Sequence, residues 1–415
     1  MHVVLATVGT DGDVFPHLGL GAVLRGRGHR VTLTAPEPYR AGAEARGLGF
    51  EPLVTADETA RMLADPDMWH PLRSGRMMAR WGAPLIPRQY EVLARLVGEE
   101  PAVLVANPGL LAARVVQERL GVPTASLLLQ PGLIPSVTAP PEMTGGLTPP
   151  HWLPRPLVRL YWRGVDAAGA VLVGRDLNRF RRQFGLAPVR RVFRWWLSPQ
   201  LVIGLFPPWY AAPQPDWPPQ LQLAGFGRFD GADDPLSVDV EAFLRAGPPP
   251  VAFTLGTGMA HAAAFFRTAV AACEALGVRG LLLTKFGHLL PRLPALVRHC
   301  RFAPFRRLLP RCAAVVHHGG VGTTAAALET GCPQVVVPLA WDQPDNAARV
   351  EALGVGTTLG RRQRTRGALA AALARVTTPG ACDRARVAAA KARGADGLAV
   401  AAGWVEELAR GSGVS

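Results

Sequence analysis

Lysine is nearly missing from this 415-residue chain: Lys285 and Lys391 are the only two. The formal net charge of +14 therefore rests almost wholly on arginine. Cysteine is scarce as well. Cys273, Cys300, Cys312, Cys332 and Cys382 all fall in the second half, and no two stand in a CxxC spacing. That pattern argues against a zinc site and a disulfide framework, and for reduced thiols in a cytoplasmic protein. No apolar run reaches the roughly 20 residues a membrane span needs. The opening MHVVLATVG has neither the basic stretch nor the cleavage site of a secretory signal and reads as a buried strand. A strongly basic chain would suit nucleic acid or an anionic membrane. The arginines are scattered, however, and no helix-turn-helix, zinc-finger or RRM pattern accompanies them, so nucleic acid is not expected as a partner.

A hydrophobic content of 49% with 18% charged residues describes a globular protein. The length implies two domains. HVVLATV (2–8), a turn GTDGDVFP, the helix-period stretch HLGLGAVLRGRGH and the strand-like RVTLTAP make one βαβ unit. PAVLVANP and PTASLLLQPG continue the parallel pattern. PPWYAAPQPDWPPQ (207–220) reads as a linker. After it the alternation restarts in PPVAFTLGTG, GVRGLLLTKFG, CRFAP, AAVVHHGG and PQVVVPLA. The expectation is α/β, with two Rossmann-like parallel-sheet domains facing across a cleft. Residues 1–212 would form the N-terminal domain and 213–395 the C-terminal one. Residues 396–415 would be a helix packing back on the first.

The stretch VVHHGGVGTT (315–324) carries the chemistry. AAVV before it is a buried strand, and TTAAALETG after it is a helix ending at Gly331 and Pro333. His318, Gly319, Gly320 and Gly322 thus form a strand-to-helix turn. The free N–H groups and positive dipole end of a helix attract an anion there. Thr323 and Thr324 would add hydroxyl donors, and His318 can donate to the same phosphates. The pattern is neither GxGxxG nor a P-loop. Downstream, Asp342 and Gln343 follow the strand VVVPLA. A carboxylate beside an amide is a good receptor for vicinal hydroxyls, although Asp342 also reads as a helix N-cap.

The run from Phe302 to Gly356 resembles the donor-binding signature of family 1 glycosyltransferases of the GT-B fold, without a gap from His318 to Pro333. The resemblance implies that His318 and the following turn hold a donor diphosphate. It also implies that Asp342 and Gln343 hold the sugar, and that the backbone near Ala303 receives the base. Where plant members place a ribose-binding glutamate this chain has Ala326, so UDP and dTDP both stay open.

GTDGDVFP contains a literal DxD, Asp11 and Asp13. It sits in the first turn of a βα unit with no other carboxylate cluster evident, so a metal site is not expected, and two carboxylates would repel a pyrophosphate. A carboxylate on a tight loop suits a general base. Gly12-Asp13-Val14-Phe15-Pro16 resembles the family's Gly-His-x-x-Pro, whose histidine deprotonates the acceptor. Asp13 stands in the histidine's place, as in some bacterial antibiotic and sterol glycosyltransferases. Asn107 stands where the plant histidine finds its orienting aspartate. His17 reads as structural. Thr10 in the same turn, and Thr257 in the LGTG loop (255–258), join the expected donor-binding set.

GDVFPHLGLG, DPDMWHP and RVFRWWLSPQLVIGLFPPWYAAPQPDWPPQL resemble the catalytic subunit of bacterial rhamnosyltransferases. Those pass rhamnose from dTDP-rhamnose to a hydroxy-fatty-acid lipid. HHGGVGTT is closer to the antibiotic and sterol enzymes. The implied activity is metal-independent, inverting transfer of a hexose from a nucleotide diphosphate sugar, with no further cofactor. The acceptor would be a hydroxyl on a lipid, sterol or polyketide-like molecule. Mixed Arg and Trp in 151–164 and 190–200 suit a greasy acceptor or peripheral contact with the inner face of a membrane. A nucleotide-sugar epimerase or hydrolase on the same fold, and a non-catalytic partner subunit, are the competing readings.

Overall fold

A computed structural model of the chain describes residues 1–229, 235–259, 262–394 and 396–413. It divides into two units. The first comprises Met1–Pro141, Leu147–Phe229 and Ala395–Ser415, the second Glu142–Gly146 and Asp230–Gly394.

The first unit is built on seven strands: β1 (His2–Ala6), β2 (Arg30–Pro36), β3 (Gly49–Val54), β4 (Ala102–Ala106), β5 (Thr124–Leu128), β6 (Leu201–Gly204) and β7 (Leu221–Leu223). Their order is β3-β2-β1-β4-β5-β6-β7, with every pair parallel. β1, β4 and β5 are buried at every residue. A central parallel strand has no solvated face, which is why HVVLA and AVLVA are apolar runs rather than alternations. The connections change direction between β1 and β4, and there the loops at the strands' carboxyl ends diverge.

The second unit repeats the plan with β8 (Val251–Thr254), β9 (Gly280–Leu283), β10 (Val297–Cys300), β11 (Ala314–His317), β12 (Gln334–Val336) and β13 (Gly356–Thr358). Their order is β10-β9-β8-β11-β12-β13, again all parallel. Its reversal lies between β8 and β11. Ala252, Leu281, Val315, Ala326 and Leu308 pack into one core beneath this sheet.

Some boundaries differ from the sequence expectation. The proline-rich stretch 207–220 is not a linker between units. It connects β6 to β7, and β7 extends the first sheet, so the change of unit follows Phe229 rather than residue 212. Proline forbids helix there and so looks like a spacer, but the aromatic residues fix the segment. Tyr210 is buried against Phe226, and Trp217 packs edge-on to Phe206. CRFAP is a loop, because β10 ends at Cys300. Strands β3, β7 and β13 carried too little apolar sequence to be read, and the apolar LVIG of β6 was hidden beside the proline-rich stretch that follows it.

Helix Gly397–Gly411 belongs to the first unit. Glu406 binds Arg27 at 3.0 Å and His29 at 2.8 Å, and Leu398 lies so near Gly19 that a Cβ there would meet it at 2.7 Å. All five cysteines are free thiols, and burial pushes those of Cys273 and Cys312 up to about 12, which leaves them unreactive. Among the described residues no helix is long and apolar enough to cross a membrane.

Candidate active site

In the second unit, the reversal point of the sheet gathers most of the expected donor residues. β11 ends at His317, and helix Val321–Thr330 begins four residues later with Gly320 as its N-cap. Glycine supplies no capping side chain, so the first N–H groups of this helix have no side-chain acceptor. His318 is buried, and its ring lies between two glycine backbones. A Cβ on Gly320 would stand 2.6 Å from its Nε2, and one on Gly256 would stand 2.8 Å from its Cε1. Those two glycines belong to the turns after β11 and β8, the two strands flanking the reversal. Burial, and then the neighbouring His317, lower the His318 pKa to about 3, so the imidazole is neutral.

His317, to which the sequence assigned nothing, fixes the turn. Its Nδ1 accepts the Gly319 N–H at 3.1 Å, so its Nε2–H donates to Gln334 Oε1 at 3.0 Å. Two partners of opposite kind select one neutral tautomer. Gly319 has φ +93° and packs against Val336 and the Gln343 carbonyl, where no other residue fits.

The threonines do different things. Thr323 is buried and its hydroxyl has no partner among the described residues. Thr324 does not fit the expectation of an outward donor. It is fully buried and its Oγ1 donates to the Gly320 carbonyl at 3.1 Å, a bond along the helix that keeps it from a ligand. Gly322 is exposed, and a Cβ there would meet nothing within 4 Å. Thr257 is half-buried beside Gly256 with no partner for its hydroxyl among the described residues.

Asp342 and Gln343 stand at the start of helix Gln343–Ala352. The preceding Trp341 has φ +61°, the one non-glycine residue among those described in the left-handed region, a conformation costing on the order of 1–3 kcal/mol. Asp342 Oδ2 accepts from Asn346 Nδ2 at 2.7 Å, and the same amide donates to the Gly319 carbonyl at 2.8 Å. Asn346 thus ties the Asp342 turn to the glycine turn. Gln343 is less available than the sequence suggested. Its Oε1 already accepts from Leu339 N at 2.7 Å and Ala340 N at 3.1 Å, so only its Nε2 is open to a ligand. Ala303 follows β10, with its methyl in the core.

The first unit holds the remaining residues. Helix Asp11–Gly26 starts directly after β1, with Thr10 as N-cap. Asp13 is half-buried, and its Oδ2 accepts the Thr10 N–H at 3.0 Å. Gly9 has φ +122°, and a Cβ there would collide with the Asp13 carboxylate. Burial raises the Asp13 pKa to about 6 against the opposing Thr10 bond. His17 is fully buried and donates from Nδ1 to the Asp13 carbonyl at 2.8 Å, which ties the peptide carrying the carboxylate to the helix. Asp11 points elsewhere and accepts from Tyr39 Oη at 2.6 Å. Asn107 follows β4 but turns on its own loop, accepting from Gly109 N at 2.8 Å.

Residues 3–131 match the family model described as glycosyltransferase family 28 N-terminal domain. Residues 282–399 match erythromycin biosynthesis protein CIII-like, C-terminal domain. Vancomycin aglycone glucosyltransferase of Amycolatopsis orientalis is 33% identical, over 97% of this chain and 96% of that protein. The chain is a glycosyltransferase. This glycosyltransferase is also 32% identical to O-mycaminosyltylonolide 6-deoxyallosyltransferase of Streptomyces fradiae, over 93% of this chain and 92% of the relative. Among solved structures, spinosyn rhamnosyltransferase SpnG superposes with a TM-score of 0.71 at 19% identity, covering 98% of this chain and 100% of that one. Calicheamicin glycosyltransferase CalG4 gives 0.70 at 22%, covering 98% of each chain. The fold of this glycosyltransferase is therefore theirs, the two-domain α/β GT-B plan.

Proposed function

We propose that the chain transfers a hexose from a thymidine or uridine diphosphate sugar to a hydroxyl of a natural-product aglycone, inverting the anomeric carbon and needing no metal. The observation that carries the donor half is the uncapped helix at Gly320 with neutral His318 laid over it. Such a helix end stabilises the charge that grows on a departing diphosphate, and so does the work a metal would otherwise do. Gly322 supports this reading, because the protein itself makes no use of the space its missing side chain leaves. His318, Thr323 and Thr257 would donate to phosphate oxygens. Asp342 and the Nε2 of Gln343 would receive sugar hydroxyls, with the base near the backbone of Ala303. Asp13, with a pKa of about 6, would take the acceptor proton.

Solved structures of this fold hold thymidine diphosphate, in SpnG and in SsfS6 of Streptomyces sp. SF2575. The relatives' names specify glucosyl transfer to vancomycin aglycone and 6-deoxyallosyl transfer to O-mycaminosyltylonolide. These favour thymidine over uridine and a natural-product acceptor over a hydroxy-fatty acid.

A thermal-shift panel of dTDP, UDP, UDP-glucose and dTDP-rhamnose tests the donor. A ligand that binds only the folded state raises Tm. dTDP is expected to raise it, and His318→Ala to abolish the rise; no shift by any nucleotide in the wild type would refute the donor site. Turnover with an α-linked donor should then give a β-glycoside, and free sugar or an epimer would mean a hydrolase or epimerase. A second variant probes the packing of the ring. Gly320→Ala places a methyl 2.6 Å from His318 Nε2. Its dTDP affinity, measured by calorimetry, is expected to fall about tenfold or more, roughly the 1.4 kcal/mol of one displaced charge-assisted hydrogen bond. Unchanged affinity would mean that the ring is not a ligand.

A further inference from the structure

The first unit contains a cavity of about 510 Å³ that no candidate donor or catalytic residue lines. Helix Arg155–Gly169 forms one wall, helix Val192–Trp195 and its leading residue another, and the loops around Val137 and Asp216 close it. Five arginines line it: Arg155, Arg159 and Arg163 at four-residue spacing on the long helix, and Arg191 and Arg194 opposite. That spacing puts the first three along one helix face.

None of these five guanidinium groups makes an ion pair or side-chain hydrogen bond with a described residue. Nearby arginines behave otherwise, since Arg114 and Arg181 both pair with Glu118. The cavity's two carboxylates are Asp166 and Asp216, so five positive charges against two negative leave it at +3. Asp216 is already engaged, accepting from Ser136 Oγ at 2.9 Å and from the Val137 N–H. Asp166 is only 8% exposed; its carboxylate accepts the Phe193 N–H, and its Oδ1 has no hydrogen-bond partner. Arg191 and Arg194 lie near enough to act on its charge, yet neither reaches ion-pair distance. Trp162 is a fixed wall, held by its Nε1–H on the Ser136 carbonyl at 2.8 Å.

Gathering unpaired like charges around one hollow works against the fold. Guanidinium groups are suited to phosphate, whose oxygens they meet two at a time. A phosphate held on the arginines directs its oxygens at them, whereas a hydroxyl on a neighbouring carbon can donate to the Asp166 carboxylate while the phosphate keeps its arginine contacts. We propose that this cavity binds a phosphorylated polyol, with its phosphate on the arginines and a neighbouring hydroxyl donating to Asp166. A soluble polyol phosphate and the headgroup of an anionic glycerophospholipid share that chemistry. The same long helix exposes Leu157 and Leu160, which gives the lipid source an apolar neighbour. The site does not depend on the donor or base assignments above.

Three measurements on the full chain test it. Calorimetry compares glycerol 3-phosphate with inorganic phosphate, and co-sedimentation compares vesicles of phosphatidylglycerol with vesicles of phosphatidylcholine. Each is run on wild type, on the double variant Arg159→Gln/Arg194→Gln, and on Asp166→Leu, with Tm as the check of folding. Wild type is expected to prefer glycerol 3-phosphate over inorganic phosphate by about tenfold. The double variant should weaken glycerol 3-phosphate by at least that factor. Asp166→Leu should erase the preference while retaining inorganic phosphate, a pattern that mere loss of structure would not produce. Binding only to phosphatidylglycerol vesicles, lost in the double variant, assigns the lipid source. Absence of both kinds of binding, or binding that the double variant leaves unchanged, overturns the proposal.

Discussion

Asp13→Asn is expected to slow glycosyl transfer by about 10²–10⁴-fold, the range for loss of a general base, while dTDP affinity stays as in the wild type. The substitution is nearly isosteric. The asparagine Oδ1 can still accept the Thr10 N–H that Asp13 Oδ2 accepts at 3.0 Å, so the turn after β1 has no reason to rearrange. What disappears is the capacity to take a proton. In the wild type that capacity switches on as pH rises through about 6, the value to which burial lifts this carboxyl from 3.8. The kcat/KM profile should therefore rise through pH 6 and level above it, and the rising limb should be missing in the variant. Stability should move the other way. A carboxyl whose folded pKa lies above its unfolded one binds its proton more tightly when folded, so its ionisation at pH 7 works against the fold. The variant should melt no lower than wild type at neutral pH. Activity within threefold of wild type would remove Asp13 from the chemistry. A large loss of Tm would instead make it a structural residue.

The sequence carried the two doubly wound sheets because their central strands are buried on both faces and so appear as unbroken apolar runs. It carried the glycine turn because backbone approach leaves glycine as its mark. Side-chain commitments were not legible. Thr324 and Thr323 are adjacent in sequence and look alike, yet only Thr323 keeps a hydroxyl without a partner, because helix phase turns Thr324 onto the Gly320 carbonyl. Gln343 reads as a sugar receptor, but the backbone three and four residues earlier occupies its oxygen. Asn346 carries no motif, although its amide joins the Asp342 turn to the glycine turn. The 207–220 stretch misled because proline content reports what the backbone cannot do, not what the side chains bury.

The paired histidines that draw attention in VVHHGGVGTT lead to the second large effect, acid lability concentrated in the second unit. His317 and His318 have their pKa values lowered from 6.5 to about 4 and about 3, in both cases chiefly by burial. Unfolded, both take up protons as pH falls through 6.5; folded, neither does until near 4. The unfolded state thus binds about two more protons across that window, so stability is present above 6.5 and falls as pH drops. At 1.36 kcal/mol per proton and pH unit, the loss is about 2.7 kcal/mol per unit between pH 6 and 4.5. That is a large share of the 5–15 kcal/mol that holds a domain together. The damage has a defined place, because a proton on His317 Nδ1 displaces the Gly319 N–H it accepts, at the turn that leads into the helix. The first unit is better protected. His17, lowered to about 4, and His2, also lowered, act in the same direction, but Asp13 binds its proton more tightly when folded and opposes them between 3.8 and 6. Hydrogen exchange followed by mass spectrometry at pH 7.0, 6.0 and 5.0, corrected for intrinsic rates, separates the units. Peptides from β11 and helix Val321–Thr330 should lose protection before those from β1 and β4, and His317→Leu should roughly halve the dependence on pH. Equal loss in both units would mean that these imidazoles are not held neutral by the fold, and with that the neutral donor assigned to His318 would fall.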